Sequence, residues 1–232
     1  MPNYINMTTK VKICGLMNYE SAAVAAEAGA DYLGFVFVPN VRRQLLPETG
    51  KKIVSEYKNK YQDAGPKLVG LFQNQTTDEV NSVCRDCNLD MAQLCGDEPP
   101  DYLSQIDYPI IKVLHVNDEI AANEAICDLD MKLKYILKRG HLALLDKHDK
   151  KSPGGTGKTF NWNIAKELSK SHTFLMAGGI SPANVQEALA TVLPHGVDVS
   201  SGVETDGAKD FSKIRELISL VRKRDSKSRS ST

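Results

Sequence analysis

Eight short apolar runs recur along the chain, and the stretches between them are long enough to form helices. The runs are VKI at 11–13, YLGFVFV at 32–38, KLVGLF at 67–72, MAQL at 91–94, IIKVL at 110–114, LALL at 142–145, TFLMA at 173–177 and VDV at 197–199. Because they are almost continuously apolar, they are typical of strands buried on both faces of a parallel sheet. The alternation of strand and helix predicts an α/β protein.

Eight strand–helix units fit a closed (β/α)8 TIM barrel, and a doubly wound open sheet is the alternative. The chain shows no linker and no change of composition, so we predict a single barrel domain over residues 10–222. Residues 1–9 and 223–232 are expected to be flexible ends, because the final RKRDSKSRSST is polar and basic without an apolar stripe.

Capping residues place the start of two helices. Thr76 is followed three positions later by Glu79, which is the spacing of a capping box. In SPANVQEALATV, Ser181 is expected to cap a helix whose first position is Pro182.

The charge balance argues against two classes of partner. The chain of 232 residues has 29 basic and 29 acidic side chains, so its formal net charge is zero. We therefore expect no nucleic acid and no membrane surface as partner. No apolar run approaches the roughly 18 residues that a membrane-spanning helix needs. The first residues, MPNYINMTTK, lack the apolar stretch of a secretory signal, and a cytoplasmic protein is expected.

The cysteines do not indicate a disulfide framework, because there are five of them, an odd number. A reducing compartment is the simpler expectation. Cys84 and Cys87 form a C-x-x-C pair, but no second ligand pair with zinc-site spacing lies nearby in the sequence. Ordinary helix cysteines are therefore favoured over a metal site.

The segment SPGGTGKTF at 152–160 is similar to a nucleotide-binding loop. Gly157, Lys158 and Thr159 match the end of the pattern G-x-x-x-x-G-K-[ST], but Ser152 occupies the position of its first glycine. The segment also does not lead directly from a strand into a helix. A nucleotide clamp is therefore disfavoured against a plain glycine loop or a lid over a phosphate site.

Polar residues follow the predicted strands at the end where barrel enzymes carry their active sites. Cys14 follows the first strand, Arg42 and Arg43 follow the second, and Asp146 follows the sixth. Loops after the last two strands are the usual phosphate seat, and glycine lets backbone N–H groups approach an anion. We expect two walls of a phosphate site, one formed by Gly178 and Gly179 and the other by Ser200, Ser201 and Gly202. A lid or third wall is expected from Gly155, Thr156 and Gly157.

Cys14 and Asp146 are candidates for acid–base chemistry, and each has a structural alternative. A free thiol has a pKa of about 8.5, which nearby positive charge lowers, yet a lone cysteine is often only a small buried apolar residue. Asp146 could equally cap a loop or pair with Lys147. Position along the chain leaves these alternatives open.

Several longer motifs occur together and in order: KICGL, GADYLGFVFVPNVRR, LLD followed by GGTGKTFNW, AGGISPANV, and GVDVSSGVET followed by GAKD. As a set, they resemble the phosphoribosylanthranilate isomerase family of tryptophan biosynthesis over about residues 10–222. The resemblance implies an Amadori rearrangement of N-(5'-phosphoribosyl)anthranilate to 1-(2-carboxyphenylamino)-1-deoxyribulose 5-phosphate. It implies no metal, no organic cofactor, and a monomer or homodimer.

The resemblance also implies roles for individual residues. Cys14 would be the general base that removes the proton from C2' of the sugar. Asp146 would be the general acid that protonates the furanose ring oxygen. Arg43, rather than Arg42, would hold the anthranilate carboxylate, which a guanidinium fork matches bidentately. The GGTGKTF segment would be a mobile loop that closes over the site.

Three positions depart from the family's usual residues, and two rival functions stay open. Cys95 stands where histidine is usual, Asn161 where aspartate is frequent, and Val41 where serine often precedes the arginine. A related isomerase of histidine biosynthesis performs the same rearrangement with two aspartates, whereas the first strand here ends in Cys14. The other rival is a catalytically silent phosphosugar-binding barrel that acts as a regulator.

Overall fold

The computed structural model describes residues 8–117, 119–147 and 160–230, and within them the dominant feature is a closed barrel of parallel strands. The strands are β1 (Lys10–Cys14), β2 (Tyr32–Val36), β3 (Lys67–Phe72), β4 (Met91–Leu94), β5 (Ile110–Val116), β6 (Leu142–Lys147), β7 (Leu175–Met176) and β8 (Gly196–Val199). The helices are α1 (Tyr19–Glu27), α2 (Pro47–Tyr61), α3 (Thr77–Asp86), α4 (Pro100–Leu103), α5 (Ala122–Lys138), α6 (Trp162–Ser169), α7 (Val185–Val192) and α8 (Phe211–Ser230).

Short elements complete the chain around the main strands and helices. Gln62–Ala64 and Ser201–Val203 are 3₁₀ turns, and Glu204–Thr205 pairs with Ala208–Lys209 in a small antiparallel hairpin. None of the helices in the described part of the chain has the length and apolar character needed to cross a membrane.

The barrel closes through the pairing of β8 with β1. Val11 lies opposite Val197, and Lys12 lies opposite Asp198, in parallel register. This pairing confirms the predicted (β/α)8 barrel, and the alternative of an open sheet is wrong because neither β1 nor β8 is an edge strand.

Two apolar layers hold the barrel together, because successive side chains on a strand point to opposite faces. On β1, Val11 and Ile13 pack outward against the helices, whereas Cys14 packs into the interior. The interior cluster consists of Cys14, Val36, Val69, Leu71, Met91, Ile111, Val113, Leu144, Leu175 and Ala177. Polar side chains with the same inward phase therefore meet at the mouth of the barrel.

One predicted helix start is confirmed and one is wrong. The Thr76 hydroxyl accepts from the Glu79 N–H, and the Glu79 carboxylate accepts from the Thr76 N–H, so the capping box is present. By contrast, α7 begins at Val185 and not at Pro182. The Asn184 side chain accepts the Ser181 N–H at 2.8 Å, and this contact holds the preceding residues in a turn.

The C-terminal helix continues beyond the predicted domain boundary at residue 222. Thr9 donates to the Asp225 carboxylate through its N–H at 2.9 Å and its hydroxyl at 2.6 Å. These two hydrogen bonds join α8 to the segment before β1. Residues 1–7 and 231–232 lie outside the described residues. The flexibility of the two ends stays a prediction. The contact between Thr9 and Asp225 lies within the segments to which that prediction applies.

Candidate active site

The mouth of the barrel brings the two predicted acid–base residues into one interior. Cys14 ends β1 and is 6% exposed among the interior apolar side chains. On β6, Leu144 faces the interior, so Asp146, two residues further on, faces it as well. Cys14 and Asp146, which are 132 positions apart in the sequence, thus face the same barrel interior.

A buried ion pair adjoins Cys14. Lys12 Nζ lies 3.0 Å from Asp198 Oδ1, and both side chains are almost completely buried. A Cβ placed on Gly34 of β2 would lie 3.0 Å from both Lys12 Nζ and Cys14 Sγ. The ammonium and the thiol therefore converge on the same point, and the glycine leaves room for them.

The charges around Cys14 shift the pKa of its thiol in opposite directions. Burial raises the pKa of Cys14 above its ordinary value, and the Asp198 carboxylate raises it further. The Lys12 and Lys209 ammonium groups lower it. Burial works against the charge on Lys12, but the pairing with Asp198 and the adjacent Cys14 leave the pKa of Lys12 above its ordinary value, so Lys12 stays protonated. The thiol therefore faces a protonated ammonium and the carboxylate paired with it, in a wall whose other side chains are mainly apolar.

Asp146 has the environment that a general acid needs. Burial raises the pKa of Asp146 to about 6, although a 2.8 Å hydrogen bond from the Lys147 N–H works in the opposite direction. Asp198 also raises this pKa, while His115 and Lys12 lower it. A carboxyl with this pKa carries its proton over a much larger part of the neutral range than an ordinary aspartate.

The glycine pair after β7 lies against Asp146. Gly178 has φ +85° and Gly179 has φ +67°, which are left-handed conformations that favour glycine. A Cβ on Gly178 would lie 3.2 Å from Asp146 Oδ1. Within the described residues, the N–H groups of Gly178 and Gly179 donate no hydrogen bond. The pair thus combines close approach to the acid with backbone donors that remain available to an anion.

The loop after β8 meets the loop after β7 at very close range. Ser201, Gly202 and Val203 form a 3₁₀ turn, and a Cβ on Gly202 would overlap the carbonyl of Ile180. The structure therefore brings the two predicted phosphate walls together. Ser200 completes the wall, and its carbonyl accepts from Lys209 Nζ at 2.9 Å.

Arg43 is held at the same mouth by an acidic partner. Its Nε and Nη2 donate to the two carboxylate oxygens of Glu204 at 2.7 and 2.9 Å. Arg42 also reaches Glu204, at 2.6 Å, but its side chain is 52% exposed against 13% for Arg43. Of the predicted pair, Arg43 is thus the arginine that the protein encloses.

Three predicted site residues, Gly155, Thr156 and Gly157, lie outside the described residues. After this segment, Phe160 is buried, and the Asn161 side chain accepts from the Asn163 N–H at 3.1 Å as the N-cap of α6. Asn161 therefore caps α6 at the position where aspartate is frequent in the family that the chain resembles.

Cys95, the other notable departure, lies near the thiol of Cys14. It follows β4, packs against the interior cluster that contains Cys14, and receives a long 3.5 Å contact from Gln93 Nε2. Burial raises the pKa of Cys95 to about 12. It therefore stays a neutral thiol and adds no charge to the mouth.

Comparison with known proteins decides the family. Residues 11–220 match the model of the family described as PRAI, N-(5'phosphoribosyl)anthranilate (PRA) isomerase. The chain belongs to this family. The N-(5'-phosphoribosyl)anthranilate isomerase of Dehalococcoides mccartyi is 41% identical over 216 residues, covering 93% of this chain and 97% of that protein. The enzyme of the same name from Trichlorobacter lovleyi is 42% identical over 211 residues, covering 90% and 96%.

Solved structures of phosphoribosylanthranilate isomerases share the fold. The enzyme from Thermotoga maritima superposes with a TM-score of 0.78 at 32% identity, covering 93% of this chain and 99% of that chain. An isomerase solved in complex with reduced 1-(o-carboxyphenylamino)-1-deoxyribulose 5-phosphate has a TM-score of 0.76 at 31% identity, with the same coverage.

Sequence reasoning did not single out four charged residues that lie beside Cys14 and Arg43: Lys12, Asp198, Glu204 and Lys209. Lys12 and Asp198 did carry a signal, because each stands between two apolar neighbours at an inward position of its strand. Glu204 and Lys209 lie in a short polar hairpin after β8, and their signal is the motif pair GVDVSSGVET and GAKD rather than periodicity.

Proposed function

We propose that this chain converts N-(5'-phosphoribosyl)anthranilate to 1-(2-carboxyphenylamino)-1-deoxyribulose 5-phosphate, an Amadori rearrangement of tryptophan biosynthesis. The observation that carries the proposal is the placement of Cys14 and Asp146 at inward positions near the carboxyl ends of β1 and β6, in a chain of this family. One group must deliver a proton to oxygen, and another must remove a proton from carbon. The two residues have environments suited to these tasks.

Asp146 acts as the general acid in this proposal. It protonates the furanose ring oxygen, the C1'–O bond breaks, and the anthranilate nitrogen supplies the electron pair that forms an iminium. The pKa of about 6 supports this role, because an ordinary aspartate would hold almost no proton near neutral pH. After the transfer, Lys147 N–H stabilises the carboxylate through its 2.8 Å hydrogen bond.

Cys14 then acts as the general base. The iminium acidifies C2', and the thiolate removes that proton to give an enol-amine, which tautomerises to the ketose. Burial opposes formation of the thiolate, whereas the adjacent Lys12 and the nearby Lys209 favour it. In the productive state, Asp146 is protonated and Cys14 is a thiolate. Because Lys12 and Lys209 favour the thiolate, they increase the fraction of enzyme in this state.

The two ends of the substrate match two sides of the mouth. The phosphate binds between the glycine pair after β7 and the 3₁₀ turn after β8, where backbone donors and glycine allow close approach. The anthranilate carboxylate binds Arg43, whose enclosed guanidinium is already oriented by Glu204. Gly155, Thr156 and Gly157 belong to the covering loop in this proposal.

A direct assay tests the function. Purified chain is mixed with N-(5'-phosphoribosyl)anthranilate, and the loss of substrate fluorescence is followed against the chain carrying both Cys14→Ala and Asp146→Asn. Turnover by the wild type alone supports the proposal. A wild-type chain that binds the substrate and leaves its fluorescence unchanged would be the silent barrel. The aminoaldose substrate of the histidine pathway serves as the rival, and we expect no turnover of it because β1 ends in Cys14.

The assembly and the compartment are also proposals. We infer a monomer or a homodimer that acts in the cytoplasm on a small molecule, without nucleic acid. A neighbouring structure from Thermotoga maritima is described as monomers derived from a dimeric isomerase, which supports considering both states. Light scattering on the purified chain distinguishes a monomer from a dimer.

A further inference from the structure

We propose that Glu204 is a positioning residue that holds Arg43 for the carboxylate of the substrate. This inference rests on the proposed function, because it assigns a partner to the arginine that receives the anthranilate end. Glu204 begins the hairpin after β8, whereas Arg43 follows β2. Their contact therefore joins two loops of the mouth that the chain itself keeps far apart.

The geometry of the pair leaves one edge of the guanidinium for a ligand. Arg43 uses Nε and Nη2 to donate to both Glu204 oxygens, at 2.7 and 2.9 Å. Within the described residues, Nη1 of Arg43 donates no hydrogen bond. A guanidinium can bind one carboxylate along the Nε–Nη2 edge and a second along the Nη1–Nη2 edge. Glu204 occupies the first edge and fixes the plane in which the second is presented.

The stem of Arg43 is also enclosed. Gly15, directly after Cys14, has φ +75°, and a Cβ there would overlap Arg43 Cδ and lie 3.1 Å from Ser200 Oγ. The arginine thus runs across the loop after β1 toward the loop after β8. Its guanidinium lies on the side of the mouth that also contains the catalytic thiol.

Three cationic side chains surround the carboxylate of Glu204, so positioning of Arg43 has to be distinguished from neutralisation of the cluster. Arg42, Arg43 and Lys209 all contact its carboxylate, at 2.6, 2.7 and 2.8 Å. Burial alone would raise the pKa of Glu204, but the hydrogen bonds from Arg43, Lys209 and Arg42 hold it at about 2. Glu204 is therefore ionised throughout the working pH range, and its single negative charge contacts three positively charged side chains.

The two roles of Glu204, neutralisation and positioning, predict opposite changes in the affinity for a carboxylate ligand. If Glu204 only neutralised the cluster, its replacement by glutamine would leave more positive charge and tighten the binding of a carboxylate. If Glu204 positions Arg43, the amide accepts at only one atom, the guanidinium loses its fixed plane, and the carboxylate binds more weakly.

The experiment measures binding of the reduced product analogue and of ribose 5-phosphate to wild type, Glu204→Gln and Arg42→Ala by calorimetry. We expect Glu204→Gln to weaken the analogue by about tenfold or more, the amount typical of a charge-assisted hydrogen bond. Ribose 5-phosphate, which lacks the carboxylate, should bind with unchanged Kd. Arg42→Ala removes an exposed cation from the same carboxylate, and it should change neither Kd appreciably.

A double-mutant cycle separates positioning from a merely structural role. In the Arg43→Ala background, Glu204→Gln should have no further effect on the analogue. Glu204→Asp, which retains two carboxylate oxygens, should recover part of the affinity, and it replaces glutamine in the cycle if Glu204→Gln does not fold. Tighter or unchanged binding in the folded variant, or a further loss without Arg43, would overturn the role of Glu204. Failure of the wild type to turn over its substrate would instead refute the proposed function.

Discussion

Lys12 Nζ lies 3.0 Å from Asp198 Oδ1 in the interior of the barrel, directly beside the thiol of Cys14. The pair joins the first and the last strand at the point where the barrel closes. A buried pair of this kind is weak evidence for stability, because desolvation offsets much of the attraction. Its position beside the proposed base indicates an electrostatic role instead.

This arrangement predicts opposite effects of its two members on Cys14. Lys12→Met removes a positive charge and should raise the pKa of Cys14, whereas Asp198→Asn removes a negative charge and should lower it. The rate of alkylation of Cys14, followed by mass spectrometry across pH, measures the thiolate directly. Shifts of the same sign in both variants would contradict the assignment. Lys12→Met should also lower stability by about 3–5 kcal/mol, because Asp198 is left unpaired.

Replacement of the base should abolish catalysis and leave binding intact. Cys14→Ala keeps the phosphate walls and Arg43, so the reduced product analogue should bind with nearly wild-type Kd. Turnover should disappear, and Cys14→Ser should be almost as inactive because a hydroxyl is a far weaker base. Substantial activity in the alanine variant would show that Cys14 is only a packing residue.

Replacement of the acid should change both the rate and its pH dependence. Asp146→Asn preserves the shape but delivers no proton, so kcat should fall by about 10²–10⁴-fold. Wild type should lose activity at alkaline pH, because the state with protonated Asp146 and thiolate Cys14 becomes depleted. The asparagine variant should lack this alkaline decline. A variant with near wild-type rate and the same profile would make Asp146 structural.

The same substitution has a consequence for stability with a definite sign. Burial raises the folded-state pKa of Asp146 from 3.8 to about 6. The folded state therefore favours the protonated form, and stability decreases as pH rises through the interval between these two values. Asp146→Asn removes this cost, so its Tm should exceed that of wild type at pH 7 and approach it at pH 4. Equal differences at both pH values would be inconsistent with the raised pKa.

The arginines should differ in their contribution to substrate binding. Arg43→Ala removes an enclosed guanidinium, and loss of one member of such a charged pair costs about 2–5 kcal/mol. KM should rise much more than in Arg42→Ala, whose side chain is half exposed. Equal, small effects of the two substitutions on kcat/KM would show that neither arginine holds the carboxylate.

The C-terminal segment offers a stability test with an internal control. Asp225→Ala removes two hydrogen bonds to Thr9, so Tm should fall by several degrees. Deletion of residues 227–232 retains Asp225 and should leave Tm and activity close to wild type. A large loss on deletion would mean that this segment docks on the barrel.

The sequence by itself determined the fold and the main candidates for the chemistry. Each strand is a short apolar run whose signal is local, and the residue that follows a run, Cys14 after VKI or Asp146 after LALL, can be identified without tertiary information. The barrel geometry then implies that Cys14 and Asp146 face one mouth, since parallel strands of a closed barrel present their carboxyl ends on one side.

Only the tertiary structure decided which charges surround those candidates. Lys12 and Asp198 are separated by 186 positions, and Arg43 and Glu204 by 161. Their contacts depend on barrel closure, on the register of β8 against β1, and on glycines that leave space for the side chains. Pairing between distant residues has no periodic signature in a sequence, whereas the strand and helix patterns arise from neighbours a few positions apart. The fold was therefore predictable from the sequence, and the electrostatic environment of its catalytic groups was not.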